Sequence, residues 1–250
     1  MLPVWLFAAL GSVVCDCALG RCVSLRTPNS PFMCVRDASA DVHVVGSIIR
    51  DGLWEAHIVH EMVRALKRHP TAIMLDIGSH LGQYGIVAAS MHRTVVAVDA
   101  NPDNIRHLRA SVRVNGFGDR MHIHNLGVDR TGGGYVRADG PKDNVGGWGT
   151  TACKNDKDPG CVPTSTVDEV VTQSHVDFGH RFIMKMDIEG HEPGAMAGAR
   201  RVLDHTDVIF MEWSKQEGYV QMFDQLQSHG FRASCNRANE CPWDVVWTRV

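Results

Sequence analysis

The chain has 250 residues, of which 44% are hydrophobic and 21% are charged, and its formal net charge is −3. This length allows one α/β domain with a full core, or one domain with a small appendage. The weak negative charge excludes a general electrostatic attraction to nucleic acids or to anionic membranes. We therefore predict no nucleic-acid partner.

The first twenty residues differ from the rest of the chain. Residues 2 to 14 are nearly all apolar, a stretch too short for a membrane span that resembles the hydrophobic core of a signal peptide. Ala18-Leu19-Gly20 offers small residues for cleavage, although no Lys or Arg precedes the apolar stretch. We predict a signal peptide or a short signal-anchor over residues 1–20, with a buried strand as the alternative.

The cysteines favour an oxidising compartment, because six of the eight follow the leader and form local pairs. The pairs are Cys22 with Cys34, Cys153 with Cys161, and Cys235 with Cys241. Such pairs are typical of disulfides, and zinc is disfavoured because no C-x-x-C or H-x-x-x-H element is present. A functional leader would direct the protein to the lumen of the secretory pathway or outside the cell. Without it the protein would be cytoplasmic, and a stable membrane span is expected only if the leader stays as an anchor.

After a polar lead-in over residues 21–53, the hydrophobic pattern alternates between the periods of helices and strands. The predicted elements, in order, are a strand over 42–49, a helix over 54–68, a strand over 73–76, a helix over 82–91, a strand over 94–99, a helix over 102–114 and a strand over 121–126.

Residues 129–165 interrupt this rhythm with many glycines and prolines. We predict an insertion that acts as a lid, with a hairpin around Tyr135. Within it, Trp148 would either stack on a sugar or fasten the loop to the body. The elements that follow are a short helix over 166–171, a strand over 181–187, a helix over 193–203, a strand over 208–212, a helix over 216–228 and an antiparallel hairpin of 231–233 with 245–248. Alternating strands and helices predict a mostly parallel sheet with helices on both faces.

A nucleotide-binding pattern begins at the strand that ends in Asp76 and continues to a second strand that ends in Asp99. The turn between them carries its glycines at Gly78, Gly82 and Gly85. A dinucleotide site needs G-x-G-x-x-G to cradle a pyrophosphate, but His80 and Gln83 stand where such glycines belong. The wider turn favours S-adenosylmethionine, a ligand without a pyrophosphate.

Ligands of open α/β sheets lie beyond the carboxyl ends of the strands, where a carboxylate such as Asp99 accepts ribose hydroxyls. The predicted cofactor-binding residues are Asp76, Gly78, Ser79, His80, Gly82, Asp99, Ala100, Asn125 and Leu126. The simpler interpretation is a pair of buried strands with a glycine turn.

The segment from Ile183 to Ala199 resembles the FkbM family of methyltransferases. The residues that match the family pattern are Lys185, Asp187, Glu189, Gly190, Glu192, Gly198 and Ala199. Residues 76–82 are similar to the family's Asp-x-Gly-Ala-Asn-x-Gly, except that Ser79 and His80 replace Ala-Asn. Further similar elements lie at 124–128, 165–170 and 210–212, so the match runs from about residue 55 to 230.

The resemblance implies a class I methyltransferase (Rossmann-like) domain over residues 54–250, with a seven-stranded sheet that ends in an antiparallel hairpin. It also implies S-adenosylmethionine as cofactor and a small-molecule or glycan acceptor. Where many family members carry Glu, this chain has Asp99.

Methyl transfer to a hydroxyl requires removal of a proton, and a positioned carboxylate or histidine can accept it. Asp187 is the first choice for the base or the acceptor-orienting group, and Glu189, His191 and Glu212 are the other catalytic candidates. For Glu192 we favour a structural role at a helix N-terminus. Asp187, Glu189 and Glu212 would also suit a hard cation, but we predict no metal.

Two other functions stay open at this point. One is a nucleotide-dependent oxidoreductase, which the residues at positions 80 and 83 disfavour. The other is a non-catalytic secreted relic of the fold that binds a ligand without turnover.

Overall fold

The computed structural model describes residues 19–213 and 218–250. In chain order its strands and helices are β1 Arg21–Ser24, β2 Phe32–Val35, α1 Val44–Asp51, α2 Ala56–Arg68, β3 Ile73–Ile77, α3 Gln83–Ser90, β4 Val95–Asp99, α4 Pro102–Asn115, β5 Met121–Asn125, β6 Gly127–Val128, β7 Tyr135–Asp139, β8 Gly149–Ala152, β9 Val162–Ser165, α5 Val167–Gln173, β10 Phe182–Met186, α6 Glu192–Ala197, α7 Arg200–His205, β11 Thr206–Glu212, α8 Tyr219–Ser228, β12 Phe231–Ala233 and β13 Asp244–Arg249.

Seven strands form the central sheet in the order β12-β13-β11-β10-β3-β4-β5. The strands from β11 to β5 are parallel to one another, and β13 pairs antiparallel with both β11 and β12. The predicted C-terminal hairpin is therefore confirmed, and the sheet is mixed. All five residues of β3 and of β10 are buried, as expected for parallel strands that are covered on both faces.

Neighbouring residues along a strand enter different cores, because successive side chains point to opposite faces of the sheet. Met74 packs with the helices α1 to α4, whereas Leu75 packs with α5 to α8. The predicted helical layers on both faces are thus confirmed, and the carboxyl ends of the parallel strands open between them.

Two predicted elements are wrong. The segment 42–49 is not a strand, because the Asp41 carboxylate accepts from the Val44 N–H at 3.1 Å and starts helix α1. The single helix predicted over 193–203 is divided into α6 and α7. A Cβ on Gly198 would lie 2.5 Å from the Asp129 carbonyl oxygen, and the Asp168 carboxylate caps the new helix by accepting from the N–H groups of Arg201 and Val202.

The insertion over 129–165 contains regular secondary structure. Its strands and β6 form a second sheet in the order β6-β9-β7-β8, so the hairpin that begins at Tyr135 is confirmed. A disulfide joins Cys153 to Cys161 after β8. A second disulfide joins Cys235 to Cys241 between β12 and β13.

The third predicted cysteine pair lies in the ribbon of β1 and β2. Cys22 and Cys34 face each other in register, and their sulfurs are 3.2 Å apart. This distance exceeds the ~2.05 Å of a disulfide bond, so the two residues are neighbours but are not bonded to each other.

The predicted leader lies outside the described residues except for Leu19 and Gly20. Within residues 19–213 and 218–250, no helix has both the length and the apolar character that crossing a membrane requires.

Candidate active site

Two adjoining cavities lie at the carboxyl ends of the parallel strands, where ligands of such sheets bind. The larger has a volume of about 410 Å³, and the smaller has about 190 Å³. Their linings share Gly78, Asp99, Ala100, Thr150 and Ile188. The cavities therefore form two ends of one groove that passes over β3, β4 and β10.

The turn after β3 sets the geometry of this groove. Gly78 has φ +79, and a Cβ there would stand 1.7 Å from the Asp187 carbonyl oxygen. Only glycine allows the turn after β3 and the end of β10 to approach so closely. Gly82 serves packing instead, because its Cβ would meet the Leu108 side chain at 2.2 Å, and it does not line either cavity.

Asp99 ends β4 and lines both cavities. Its Oδ2 accepts from the His80 backbone N–H at 2.7 Å. Its Oδ1 accepts from the Asn101 N–H at 2.8 Å and from the Asn104 side-chain amide at 3.1 Å. Burial raises the pKa of Asp99, although these hydrogen bonds oppose the rise. A carboxylate has about four acceptor positions, so Asp99 retains capacity for a ribose hydroxyl.

Asp76 lies away from the groove. It is fully buried, and its Oδ2 accepts from the Gly85 N–H at 2.8 Å. Burial raises its pKa to about 7. Asp76 therefore ties helix α3 to strand β3 and supports the turn from beneath.

The other predicted residues divide between the two cavities. Ser79 and His80 line the larger cavity, and Leu126 lines the smaller one. Asn125 reaches neither, because its side chain donates to the Asp99 carbonyl oxygen at 2.9 Å. His191 lines the smaller cavity and lies 3.2 Å from the Thr150 hydroxyl.

Three of the predicted catalytic carboxylates converge on the larger cavity. The nearest oxygens of Asp187, Glu189 and Glu212 lie within 4.8 Å of one another, a grouping that could hold a cation. Lys185 supplies a fixed positive charge beside them. Its ammonium group is buried and donates to Asp187 Oδ2 at 2.8 Å.

The ionisable groups of this cluster differ in their pKa values. Burial, together with the charges of Asp187 and Glu189, raises the pKa of Glu212 to about 9. Burial and the charge of Asp187 raise the pKa of Glu189 to about 7. Burial alone would lower the pKa of Lys185, but the carboxylates of Asp187 and Glu55 outweigh it and raise this pKa. The cluster thus holds a paired carboxylate, a group poised near neutrality and a neutral acid.

Three of the six non-glycine residues with positive φ in the described part of the chain lie at this cavity. Glu55, His80 and Glu189 have φ values of 45, 50 and 55, and all three line the larger cavity. Left-handed backbone is uncommon outside glycine and collects at functional sites. The position of these residues therefore marks the cavity as the site independently of its charge.

Glu192 has the structural role that the sequence favoured. It is fully buried, and its carboxylate accepts from the N–H groups of Ile188 and Gly190 at 2.8 and 3.0 Å and from the Tyr219 hydroxyl. It fixes the turn that carries Glu189.

Several lining residues escaped sequence analysis as members of the site. They are Trp54, Glu55, Tyr84, Lys185, Trp243 and Asp244. Lys185 had a usable signal, because a lysine inside the apolar strand Phe182–Met186 must have a buried partner. The others come from distant segments that only the fold brings together. Trp148 lines the larger cavity, and its indole N–H donates to the Pro141 carbonyl at 2.6 Å, a contact within the insertion itself.

A family model described as the methyltransferase FkbM domain matches residues 76–233. The chain belongs to the FkbM methyltransferase family. A solved FkbM methyltransferase from Methylobacillus flagellatus KT is 16% identical, with a TM-score of 0.49, and the alignment covers 71% of this chain and 43% of that one. An O-methyltransferase from Bacillus cereus, in complex with SAH, is 12% identical, with a TM-score of 0.47 and coverage of 79% and 82%. At these values the assignment rests on the sequence match.

Membership of the FkbM methyltransferase family implies S-adenosylmethionine as the cofactor, and the groove fits it. Asp99 presents a carboxylate to both cavities, and the smaller cavity is lined by apolar side chains, among them Val98 and Leu126. Ser79 also lines the larger cavity, and its buried hydroxyl has no hydrogen-bond partner among the described residues.

Proposed function

We propose that this FkbM methyltransferase transfers the methyl group of S-adenosylmethionine to a hydroxyl oxygen of a small-molecule or glycan acceptor. The observation that carries the proposal is the shared groove. It joins the carboxylate of Asp99 to a cluster of three carboxyl groups, at Asp187, Glu189 and Glu212.

Bound S-adenosylmethionine supplies an electrophilic methyl group on a sulfonium. Asp99 would hold a ribose hydroxyl, and the apolar lining of the smaller cavity would hold the adenine. Asp187 follows β10 directly and lines the larger cavity, at the other end of the groove. The protein's main contribution is then to hold the acceptor oxygen in line.

The carboxylates handle the acceptor proton. The Lys185 ammonium donates to one oxygen of Asp187, and the other oxygen would accept a hydrogen bond from the acceptor hydroxyl and orient it. Glu189 has a pKa of about 7, which suits a general base at neutral pH. Glu189 would accept the proton of the acceptor hydroxyl as the new carbon–oxygen bond forms, and the methyl–sulfur bond that breaks would leave S-adenosylhomocysteine. Glu212, with its raised pKa, stays protonated and donates a hydrogen bond.

The lining also limits the acceptor. Six acidic residues line the larger cavity, namely Glu55, Asp99, Asp187, Glu189, Glu212 and Asp244. An anionic acceptor would be repelled by this lining. Trp243 is 72% exposed and stands at the rim beside the end of β11, and an exposed indole offers a flat apolar surface. These features favour a ring-bearing acceptor without negative charge, such as a neutral sugar.

We also propose a location in the secretory pathway or outside the cell. The disulfides Cys153–Cys161 and Cys235–Cys241 support it, because such bonds persist in oxidising compartments.

Calorimetry tests the cofactor directly. S-adenosylhomocysteine should bind the purified chain, and NAD should not. Failure to bind the former would remove the proposed function, and binding of NAD would favour the oxidoreductase. A screen of neutral and acidic sugars with methyl-labelled cofactor then tests the acceptor class, since labelling of only acidic sugars contradicts the charge argument.

A further inference from the structure

A carboxylate lies buried in the lead-in, before the family match begins at residue 76. Asp41 is fully buried, which is rare for aspartate unless the group is paired. Its Oδ2 lies 3.0 Å from His80 Nε2, and its Oδ1 accepts from the Val44 N–H. The lead-in thus contributes a carboxylate that lies against the turn after β3.

His80 connects this carboxylate to Asp99. It occupies the left-handed region at φ 50, a conformation that Asn, Asp and His adopt more readily than most residues. Its backbone N–H donates to Asp99 Oδ2 at 2.7 Å. This chain has an imidazole where the family pattern has Asn, and the Asp41 carboxylate lies beside that ring. His80 therefore links Asp41 to Asp99, with its side chain next to the first and its backbone N–H bound to the second.

A second connection reaches the other oxygen of Asp99. The Arg36 guanidinium is buried and donates to the Asn104 side-chain oxygen. The Asn104 amide in turn donates to Asp99 Oδ1 at 3.1 Å. Each oxygen of the ribose carboxylate is therefore held through one intermediate residue by a charged group of the lead-in.

We propose that Asp41 and Arg36 are positioning residues for the cofactor, so that the lead-in is part of the cofactor site. The proposal rests on the proposed function only in that the adenosyl ribose lies against Asp99. It adds two residues outside the family domain, with a defined route to the ligand from each. Neither residue touches the reacting atoms.

The test is calorimetry of S-adenosylhomocysteine binding to the full chain carrying Asp41→Asn. We expect the Kd to rise about tenfold, because the His80 ring loses the carboxylate beside it and the turn relaxes. Asp37→Asn is the matched control, since Asp37 is exposed in the same lead-in and caps a short helical turn at Ser39. It should bind like the wild type.

A double-mutant cycle separates positioning from simple structural support. His80→Asn restores the family residue, and in that background Asp41→Asn should change the Kd less than about twofold. An equal loss in both backgrounds would overturn the proposal. So would an unchanged Kd with a lowered melting temperature, which is the signature of structural support alone.

Arg36→Lys covers the case in which Asp41→Asn does not fold. Lysine keeps the charge but lacks the planar fork that meets Asn104, so the Kd should rise severalfold at an unchanged melting temperature. Unchanged binding would remove the second route. If the wild type did not bind S-adenosylhomocysteine, the proposed function itself would be rejected. Failure of the proposed function is therefore distinguishable from failure of the positioning proposal.

Discussion

Asp99 and Asp187 follow parallel strands of one sheet and face the same groove, but the protein neutralises them differently. Asp99 is held by backbone and amide N–H groups, whereas Asp187 is paired with the buried Lys185 ammonium. The first arrangement makes a fixed hydrogen-bond acceptor for a sugar. The second keeps a charge beside the place where a proton must move. Identical side chains thus acquire separate roles from their surroundings, which is how active sites divide acid and base functions.

The largest effect on turnover should come from the larger cavity, where the acceptor would bind. Glu189→Gln removes the group with a pKa near 7, so kcat should fall by about 10²–10⁴-fold. The Kd for S-adenosylhomocysteine should stay within about twofold, because Asp99 is untouched. Steady-state kinetics and calorimetry measure the two values. Unchanged turnover in Glu189→Gln would reassign the base to Asp187, and unchanged turnover in Asp187→Asn as well would dismiss both.

The second largest effect should be a loss of stability when the buried ammonium group of Lys185 is removed. Lys185→Met leaves Asp187 and Glu55 without their nearest positive charge, and the unfolding free energy should fall by about 2–3 kcal/mol. This lies below the ~3–5 kcal/mol of a fully buried pair, because Asp187 is 29% exposed. Denaturant titration measures it.

The double variant Lys185→Met with Asp187→Asn is the control for that prediction. It should recover part of the lost stability, because no unpaired charge is left at the end of β10. If the double variant were less stable than the sum of the single changes, the pairing would not be the cause.

A change at Asp99 should weaken binding of S-adenosylhomocysteine and leave proton transfer from the acceptor unaffected. Asp99→Ala leaves three N–H donors without their acceptor and removes the ribose contact, so the Kd should rise about 10- to 100-fold. Asp139→Ala, on the exposed strand β7, is the comparison. Wild-type affinity in Asp99→Ala would show that the ribose lies elsewhere.

A smaller, pH-dependent effect is expected at Glu212. Its pKa rises to about 9 in the folded protein, above the ~4.3 of an unfolded glutamate. The folded state therefore binds the extra proton between these values, and stability is lost as the pH rises through this window.

Glu212→Gln cannot titrate, so its melting temperature should match the wild type near pH 5 and exceed it by a few degrees at pH 9. Thermal scans across this range, with exposed Glu240→Gln as the reference, measure the difference. A gain that is equal at both pH values would assign the effect to packing.

The smallest effect is expected from metal removal. Lys185 already compensates Asp187, and Glu212 carries its own proton, so the three carboxylates do not require a cation for methyl transfer. Activity should be the same after dialysis against a chelator. Loss of activity that magnesium restores would place a cation among Asp187, Glu189 and Glu212.

Much of the fold could be predicted from periodicity, because buried parallel strands such as Ile73–Ile77 and Phe182–Met186 read as apolar runs between helices. The errors arose where a local contact overrides the pattern. Residues 44–51 are rich in β-branched side chains, yet they form a helix whose first N–H, at Val44, donates to the Asp41 carboxylate. The division between α6 and α7 depends instead on contacts of Gly198 and Asp168 with distant segments, which a single sequence does not show.

The site also contains residues that the sequence predicts and residues that it does not. Asp99 and Asp187 could be predicted because each follows a strand, and strand ends gather at one edge. The buried position of Asp76 could not, because the same sequence pattern is compatible with a carboxylate that points into or away from the cleft. Glu55 and Trp243 come from segments that approach the groove only through the packing of α2 and the β12–β13 hairpin.

The contact at Gly78 has a consequence for how such enzymes diversify. No side chain separates that turn from the main chain at Asp187, so the direct contact of two backbone segments, not side-chain identity, fixes the distance between the cofactor-binding and acceptor-binding parts of the groove. Rim residues such as Trp243 can then be exchanged for others suited to new acceptors while the reach of the transferred carbon stays constant.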